Sequence, residues 1–596
     1  MKHTLPHLSL MLVPLAAALV ATGAAHAAPA VGPGDMSFYD APAPTARAGE
    51  LLSYRPTTLN LGRNAPGHGA WNVKYESTNS KGAPNIVTGT VIVPTAPWSG
   101  SGTRPVLSYA VGTHGLAQRC APSLQLSKGT DYETANIVAA LKAGYAVLVT
   151  DYYGYTNNAT PTYLAGASQA HAVLDIIRAA SQLPTAGIAA NTKAVIWGFS
   201  QGGQSAAWAG QRKAAYAPEI NLVGVAAGGV PADFSRTAAY LDGSFGSSFL
   251  LAGVVGLSEE YPEGIPINEL ANDLGKATIA RGKDECVFEA LFDLMNKRLS
   301  EFTVGNQTLQ QLEQIPSVSA TLKAQNLGAD KIPVPLYQYH GKADEFIPID
   351  QAVALKKKYC SKWANVTFDV YPSEHIATQF QAAPYALSWL TDRVAGKSTS
   401  GSCLTLAAEP KSTANPPGGN FVVSLDAWKL VATVGLKTLA QTVTLPEKST
   451  FTADTDITAK TLKGNLSVPD FTAPIKIAGI GAGVGMRITP VGDTTGTAEL
   501  DTAGTLKVRG MAKADITITS LAGIPIAPCK TVTPVEFPLN FEGPVSALGG
   551  GSLTFNGTTR FPQFKGCSVS AILSSLVSGD GQTFSFTVVP PAPTRY

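Results

Sequence analysis

Gly198-Phe199-Ser200-Gln201-Gly202 fits the G-x-S-x-G pattern of an activated serine. In a chain of 596 residues with 58 glycines, such a match arises by chance too easily to stand alone. Its setting gives it weight. The apolar run Ala194-Val195-Ile196-Trp197 precedes it directly, and Gly203 to Trp208 opens a helix directly after it. A strand, a sharp turn and a helix in this order push the serine side chain outward, and a Cβ at the flanking glycines would meet neighbouring backbone. The helix N-terminus favours negative charge beside the serine.

A serine hydroxyl needs a base to take its proton, and in this arrangement the order along the chain is serine, acid, histidine. Two histidines follow Ser200. His375, in Tyr371-Pro372-Ser373-Glu374-His375, comes after the last strand and before a helix, and is the expected base. His340 ends the preceding strand, too early to follow an acid on that strand, and reads as structural. The acid is expected just after that strand, in His340-Gly341-Lys342-Ala343-Asp344-Glu345-Phe346-Ile347-Pro348. Asp344 is assigned, with Glu345 as a solvated or supporting carboxylate and Asp350 as a weaker reserve. Asp151 precedes the serine and reads as a turn residue. Two backbone amides should bind the oxyanion: Gln201, next to the serine, and His114 in the glycine-flanked loop Gly112-Thr113-His114-Gly115. The His114 imidazole either contacts substrate or fills space.

The elements that must hold these residues are short apolar strands alternating with helices. Strands are expected near Trp71–Tyr75, Val87–Pro94, Pro105–Val111, Tyr145–Thr150, Ala194–Trp197, Ile220–Ala227, Val334–Tyr339 and Val366–Val370. Helices are expected over Thr134–Ala143 and Tyr163–Leu183. This alternation predicts a mostly parallel sheet covered on both faces. Between about Asp233 and Gln325 it gives way to helical sequence, a candidate cap over the site. Residues 405–419 read as a linker, richest in Pro and Gly from Glu409 to Gly419. Beyond it, Thr505–Arg509 and Asp515–Thr519 alternate at period two, and Gly549-Gly550-Gly551 and Asn556-Gly557 read as turns. Residues 420–596 are therefore expected to be an all-β, sandwich-like C-terminal domain.

Composition narrows the class. Charged residues are 14% and hydrophobic residues 45%, as in a globular chain, and the formal net charge of +2 with no dense Lys/Arg run gives no basis for a nucleic-acid partner. Lys2 and His3, the apolar run Leu8–Val20 and Ala25-His26-Ala27 predict a signal peptide over residues 1–27, cleaved after Ala27, and hence a secreted protein. No later segment is apolar and long enough to span a bilayer. The six cysteines, Cys120, Cys286, Cys360, Cys403, Cys529 and Cys567, suggest three disulfides in an exported chain. No Cys/His spacing points to a metal, and the serine chemistry needs no cofactor.

Several phrases resemble the secretory lipase family of the fungal lipase A type: the Ser200 turn, Cys120-Ala121-Pro122-Ser123, Tyr216–Gly224, Leu251–Ser258, Asp344–Pro348 and Glu374-His375. The resemblance runs from about residue 50 to Cys403, with the phrases in family order. It implies an α/β-hydrolase core with a helical cap, a catalytic domain over 28–404 with its cap at about 233–325, and fatty-acid esters as substrates. It also implies the pairs Cys120–Cys286 and Cys360–Cys403, which leaves Cys529–Cys567 within the β domain. The fungal enzymes carry an acidic residue where His114 stands, and their chains end soon after the position of Cys403. The expected activity is thus a secreted lipase or carboxylesterase working through an acyl-Ser200, with apolar cap residues near Phe249–Leu257 holding the acyl chain. Acyl transfer to another alcohol and cleavage of a polyester or other specialised ester are the alternatives. The β domain reads either as a module binding a polymer or lipid surface or as a passive stabilising unit.

Overall fold

The computed structural model describes residues 1, 28–405, 407–414, 418–477, 480–548 and 553–596. The signal peptide expected over residues 1–27 falls on 2–27, outside the described residues, as do parts of the expected linker and the Gly549–Gly551 turn.

Strands of the first sheet are β1 (Ala30–Val31), β2 (Leu51–Pro56), β3 (His68–Thr78), β4 (Pro84–Pro94), β5 (Val106–Ala110), β6 (Ala146–Thr150), β7 (Ala194–Phe199), β8 (Leu222–Gly228), β9 (Leu336–Gly341) and β10 (Val366–Tyr371). Their order in space is β1-β2-β3-β4-β6-β5-β7-β8-β9-β10, and a short strand Thr594–Arg595 closes the β10 edge. From β6 across to β10 the neighbours are parallel, while β2, β3, β4 and β6 pair antiparallel. The parallel strands are apolar without alternation because both faces are covered, and Val147, Val195, Ile196 and Val225 are fully buried.

The connecting helices are α1 (Pro122–Lys128), α2 (Thr134–Lys142), α3 (Gly166–Ala180) and α4 (Gln201–Tyr216). Seven further helices lie between β8 and β9 among the described residues: α5 (Phe234–Leu241), α6 (Ser247–Glu260), α7 (Ile267–Leu270), α8 (Asp273–Gly282), α9 (Val287–Asp293), α10 (Leu309–Leu312) and α11 (Pro316–Ala324). The sheet then resumes around α12 (Ile349–Ser361), α13 (His375–Gln381) and α14 (Ala383–Val394). The α3 helix starts at Gly166, later than its apolar pattern predicts, because Leu164 sits at φ 64°, outside helical space. Its Ala170, Val173, Leu174 and Ile177 form the buried stripe. After β5 the chain crosses to β6, and after β7 it crosses the other way to β8. The carboxyl ends of β5 and β7 therefore face each other at the point where the winding reverses, where open α/β sheets place their sites.

α5–α11 form the cap, and one covalent tie fastens it to the β5 loop. Cys120 is bonded to Cys286, while the Val287 and Leu116 amides donate to the His114 and Glu285 carbonyls at 3.0 and 3.2 Å. Cys360 is bonded to Cys403, and Cys529 to Cys567. The Cys120–Cys286 bridge closes a loop of 166 residues. Replacing both cysteines with serine is expected to cost roughly 2–5 kcal/mol of stability, read as a lower denaturant midpoint; an unchanged midpoint would show the tie to be dispensable.

The C-terminal part is a second, wholly antiparallel sheet of thirteen strands among the described residues, with a helix, Ser570–Val577, inserted before its last long strand, so the region expected to be all-β is β-rich instead. Its path curls until the strand Val535–Pro544 lies beside Leu553–Phe561, so apolar faces meet inside. Along Val422–Leu436 the buried residues alternate, Val423 and Leu425 then Trp428, Leu430 and Ala432, with a bulge at Asp426-Ala427 resetting the phase. Thr505–Arg509 and Asp515–Thr519 belong to one long strand, Thr505–Leu521. Asn556-Gly557, expected as a turn, instead lies within Leu553–Phe561: Gly557 pairs with Phe584, and a Cβ there would stand 2.7 Å from its ring. The glycine makes room for an aromatic side chain and does not reverse the chain.

Candidate active site

Ser200 follows β7 directly and stands at the N-cap of α4 with φ 60° and ψ −123°, a strained backbone for a residue with a Cβ. Its amide donates to the Gly228 carbonyl at 2.9 Å, and its carbonyl accepts from the Gln204 amide at 2.9 Å. A Cβ on Gly198 would strike the Gly202 carbonyl, one on Gly202 the Ala110 carbonyl, and one on Gly203 the Gly228 carbonyl. The turn is thus packed so tightly between β5 and β8 that only glycine fits at positions 198, 202 and 203.

His375 begins α13, and Glu374 caps that helix by accepting from the Ile376 and Ala377 amides at 2.5 and 2.6 Å. The imidazole Nδ1 lies 2.6 Å from Asp344 Oδ2. Asp344 Oδ1 accepts from the Phe346 and Ile347 amides at 3.0 and 2.8 Å, which fixes the carboxylate in the loop after β9. The ring packs on Phe199, at 4.7 Å between centroids, and against Phe346 at 5.2 Å, and a Cβ on Gly229 would come within 3.0 Å of its Cε1. His375 therefore stands beside the serine turn, with Nδ1 held by Asp344. No hydrogen bond between the Ser200 hydroxyl and His375 occurs among the described residues; such bonds tighten when substrate binds.

Burial would push the Asp344 carboxyl up, but His375, His340 and the Ile347 amide outweigh it and hold the group below the usual carboxylate value. His340 is fully buried, with Nε2 2.8 Å from the Ile347 carbonyl and 3.4 Å from Asp344, and burial holds it below the ordinary imidazole value. It backs the carboxylate and does not approach the serine. Glu345 is not solvated: its Oε2 accepts from the His375 amide at 3.0 Å, and burial together with Glu374 and Asp344 lifts it well above the usual range. Glu374 is pushed up to about 7, mainly by burial. Asp350 is exposed and pairs with Arg236, and Asp151 is buried on Ser123 and Thr88.

Across from Ser200, the Gly112–Gly115 loop offers its backbone. The Gly112 amide is committed to Glu133 Oε1 at 2.9 Å, while the Thr113 and His114 amides have no partner among the described residues. The His114 ring is buried. Its Nδ1 lies 3.0 Å from the Gly112 carbonyl and its Nε2 3.0 Å from Asp131. Burial opposes charge on this ring, but Asp131 and Glu133 outweigh it and lift the group to about 9. A histidine raised on folding adds stability that is full below its ordinary 6.5 and is lost as pH climbs through 9. Stability is therefore expected to fall by on the order of 2–3 kcal/mol between those pH values, and denaturant midpoints of His114→Gln should lack that fall.

Glu133 gave no signal in the sequence. Its Oε1 also accepts from Gln379 Nε2 of α13 at 2.7 Å, so one buried carboxylate oxygen joins the β5 loop to the helix that carries His375. Above the loop, an apolar cavity of about 120 Å³ runs into the cap between Thr113, Leu116, Phe249, Leu251, Val254 and Val255. Its lining reaches the loop but includes neither Ser200 nor His375.

Residues 121–402 match the secretory lipase family. A probable inactive lipase of Mycobacterium tuberculosis is 31% identical over 379 residues, covering 61% of this chain and 83% of that protein. The chain belongs to the secretory lipase family. A secreted triacylglycerol lipase of Malassezia globosa is 28% identical over 390 residues, 62% of this chain and 80% of that protein. Lipase A of Candida antarctica matches in structure with a TM-score of 0.56 at 25% identity, covering 64% of this chain and 90% of that one. As a secretory lipase, the chain carries the α/β-hydrolase fold of carboxylic-ester hydrolases. The family match ends at Ser402 and leaves the C-terminal β-rich region outside it.

Proposed function

We propose that this secretory lipase hydrolyses fatty-acid esters, triacylglycerols among them, through an acyl-Ser200 intermediate. The observation that carries the reading is the 2.6 Å contact of Asp344 with His375 Nδ1 beside a serine held at φ 60°. His375 Nε2 takes the Ser200 proton as Oγ attacks the ester carbonyl carbon. Gln201 N–H and an amide of the Thr113–His114 pair hold the oxyanion. The tetrahedral adduct collapses, and the alcohol leaves with the proton from Nε2. Water, deprotonated by His375, then attacks the acyl carbon and releases the fatty acid and free serine. Asp344 fixes the imidazole and stabilises its cation. The apolar cavity beside Thr113 and Leu116 supports an acyl chain as the bound part.

The export reading, with residues 1–27 as a signal removed from the mature protein, is supported by the three disulfides and by secreted relatives. The division into a catalytic unit at 28–404 and a β unit at 420–596 is likewise part of this proposal. Mass spectrometry of the protein quenched on a slow p-nitrophenyl ester tests the mechanism: an acyl adduct on the Ser200 peptide is expected, and turnover with no adduct there and full activity in Ser200→Ala would overturn it.

A further inference from the structure

The C-terminal β-rich region grips α13, the helix that begins with His375, from two sides. On one side the turn Val545–Leu548 packs on α13, and Ile376 enters the apolar interior beside Phe421, Val423 and Leu548. Phe421 stacks on Phe245 of the cap at 4.4 Å and approaches Phe346, the ring that edges His375, at 6.2 Å.

On the other side, residues beyond the last long strand return to the first sheet. Arg595 pairs with Asp369 and Thr594 with Val370, antiparallel to β10, and the Tyr596 amide donates to the Phe368 carbonyl at 2.9 Å. The Arg595 guanidinium makes a two-pronged contact with Asp369, 2.6 Å from Nε to Oδ1 and 3.0 Å from the terminal nitrogen to Oδ2. Asp369 is 3% exposed and also accepts from the Tyr337 hydroxyl. The Pro591 carbonyl accepts from Gln381 Nε2 at 2.9 Å, and Gln381 Oε1 accepts from the Ser373 hydroxyl at 2.5 Å. The Ser373 carbonyl in turn accepts from the Ala343 amide, one residue before Asp344. The link is stiff, because Pro590, Pro591 and Pro593 fix their own φ and restrain their neighbours.

We propose that Pro591–Tyr596 is a positioning strap for the His375 loop, so that the β-rich region is part of the catalytic unit and not a tethered accessory. The strap holds both ends of the stretch between Asp369 and Gln381, in which His375 lies, and through Ser373 it reaches the Asp344 loop. None of its residues touches substrate. The inference rests on the reading of Ser200 and His375 as nucleophile and base.

The test uses the full chain, Arg595→Ala, Arg595→Lys and a chain ending at Pro590, all compared at temperatures where circular dichroism shows them folded. Hydrolysis of a soluble p-nitrophenyl ester gives kcat and KM, and a fluorophosphonate gives the rate of Ser200 labelling. A small displacement of a catalytic group costs up to about 100-fold. Expected are a kcat lower by about 10- to 100-fold in Arg595→Ala and in the shortened chain, a KM within about twofold, labelling slowed in parallel, and partial recovery in Arg595→Lys. If the shortened chain does not fold, Arg595→Ala alone decides. Folded variants with the parental kcat and labelling rate would overturn the strap. A parental protein that hydrolyses the ester yet is never labelled at Ser200 would overturn the serine reading itself, and the strap with it.

Discussion

Ser200→Ala is expected to lower kcat by roughly 10⁵- to 10⁶-fold with little change in thermal midpoint. The loss is large because the hydroxyl proposed to attack is removed while the turn that presents it is unchanged. The glycines at 198, 202 and 203 leave no room for the backbone to shift and present a neighbour. Stability is spared because the Ser200 hydroxyl makes no hydrogen bond among the described residues, and alanine meets the same φ of 60° that serine does. The activity left over should come from backbone donors and binding alone, and fluorophosphonate labelling should vanish. An alanine variant that hydrolyses p-nitrophenyl esters at the parental rate would remove Ser200 from the mechanism.

Asp344→Asn is expected to cost about 10⁴-fold in kcat. Asp344 has one oxygen on His375 and the other on two amides. An asparagine that keeps its oxygen on the amides turns its NH₂ toward Nδ1. The ring then carries its proton on Nε2 and cannot accept one from serine. The substitution also has a signature in acid. A carboxyl held below its ordinary value on folding adds stability above that value, near 3.9, and loses it as pH falls through the lower folded value. Glu345 and Glu374, both pushed up mainly by burial, act in the opposite sense as pH falls. The informative quantity is therefore the difference between parent and Asp344→Asn. It should shrink below about pH 4, as read from denaturant midpoints. A difference that stays constant down to pH 2 would mean that Asp344 is not held ionised by its neighbours.

Much of the hydrolase sheet was legible because its signals are local. Buried parallel strands are continuous apolar runs, and the tight turn at Ser200 writes its steric demand as glycines at fixed offsets. Asp344 and His375 were legible from their places after β9 and β10. The edges were harder to read. Thr594–Arg595 is two polar residues after a run of prolines, with no periodicity, and what makes it a strand is a partner 226 positions away. Glu133 is a single carboxylate whose role follows from meeting Gly112 and Gln379, which lie 21 residues before and 246 residues after it. The His114 ring could not be assigned from sequence, because its fate depends on Asp131 lying against it in space. Asn556-Gly557 carried a turn signal, but Phe584 across the sheet decided its use.

The closing of the β10 edge has a consequence for how the protein is made. Until Arg595 has been synthesised, β10 presents unpaired amides and carbonyls beside an Asp369 that lacks its guanidinium partner, and an open edge of this kind invites pairing with other chains. The hydrolase portion thus completes its sheet only after the whole β region has emerged and folded back. Fragments ending near Cys403 should be more prone to aggregate than the full chain, so the region outside the family match also guards the nascent enzyme against misassembly.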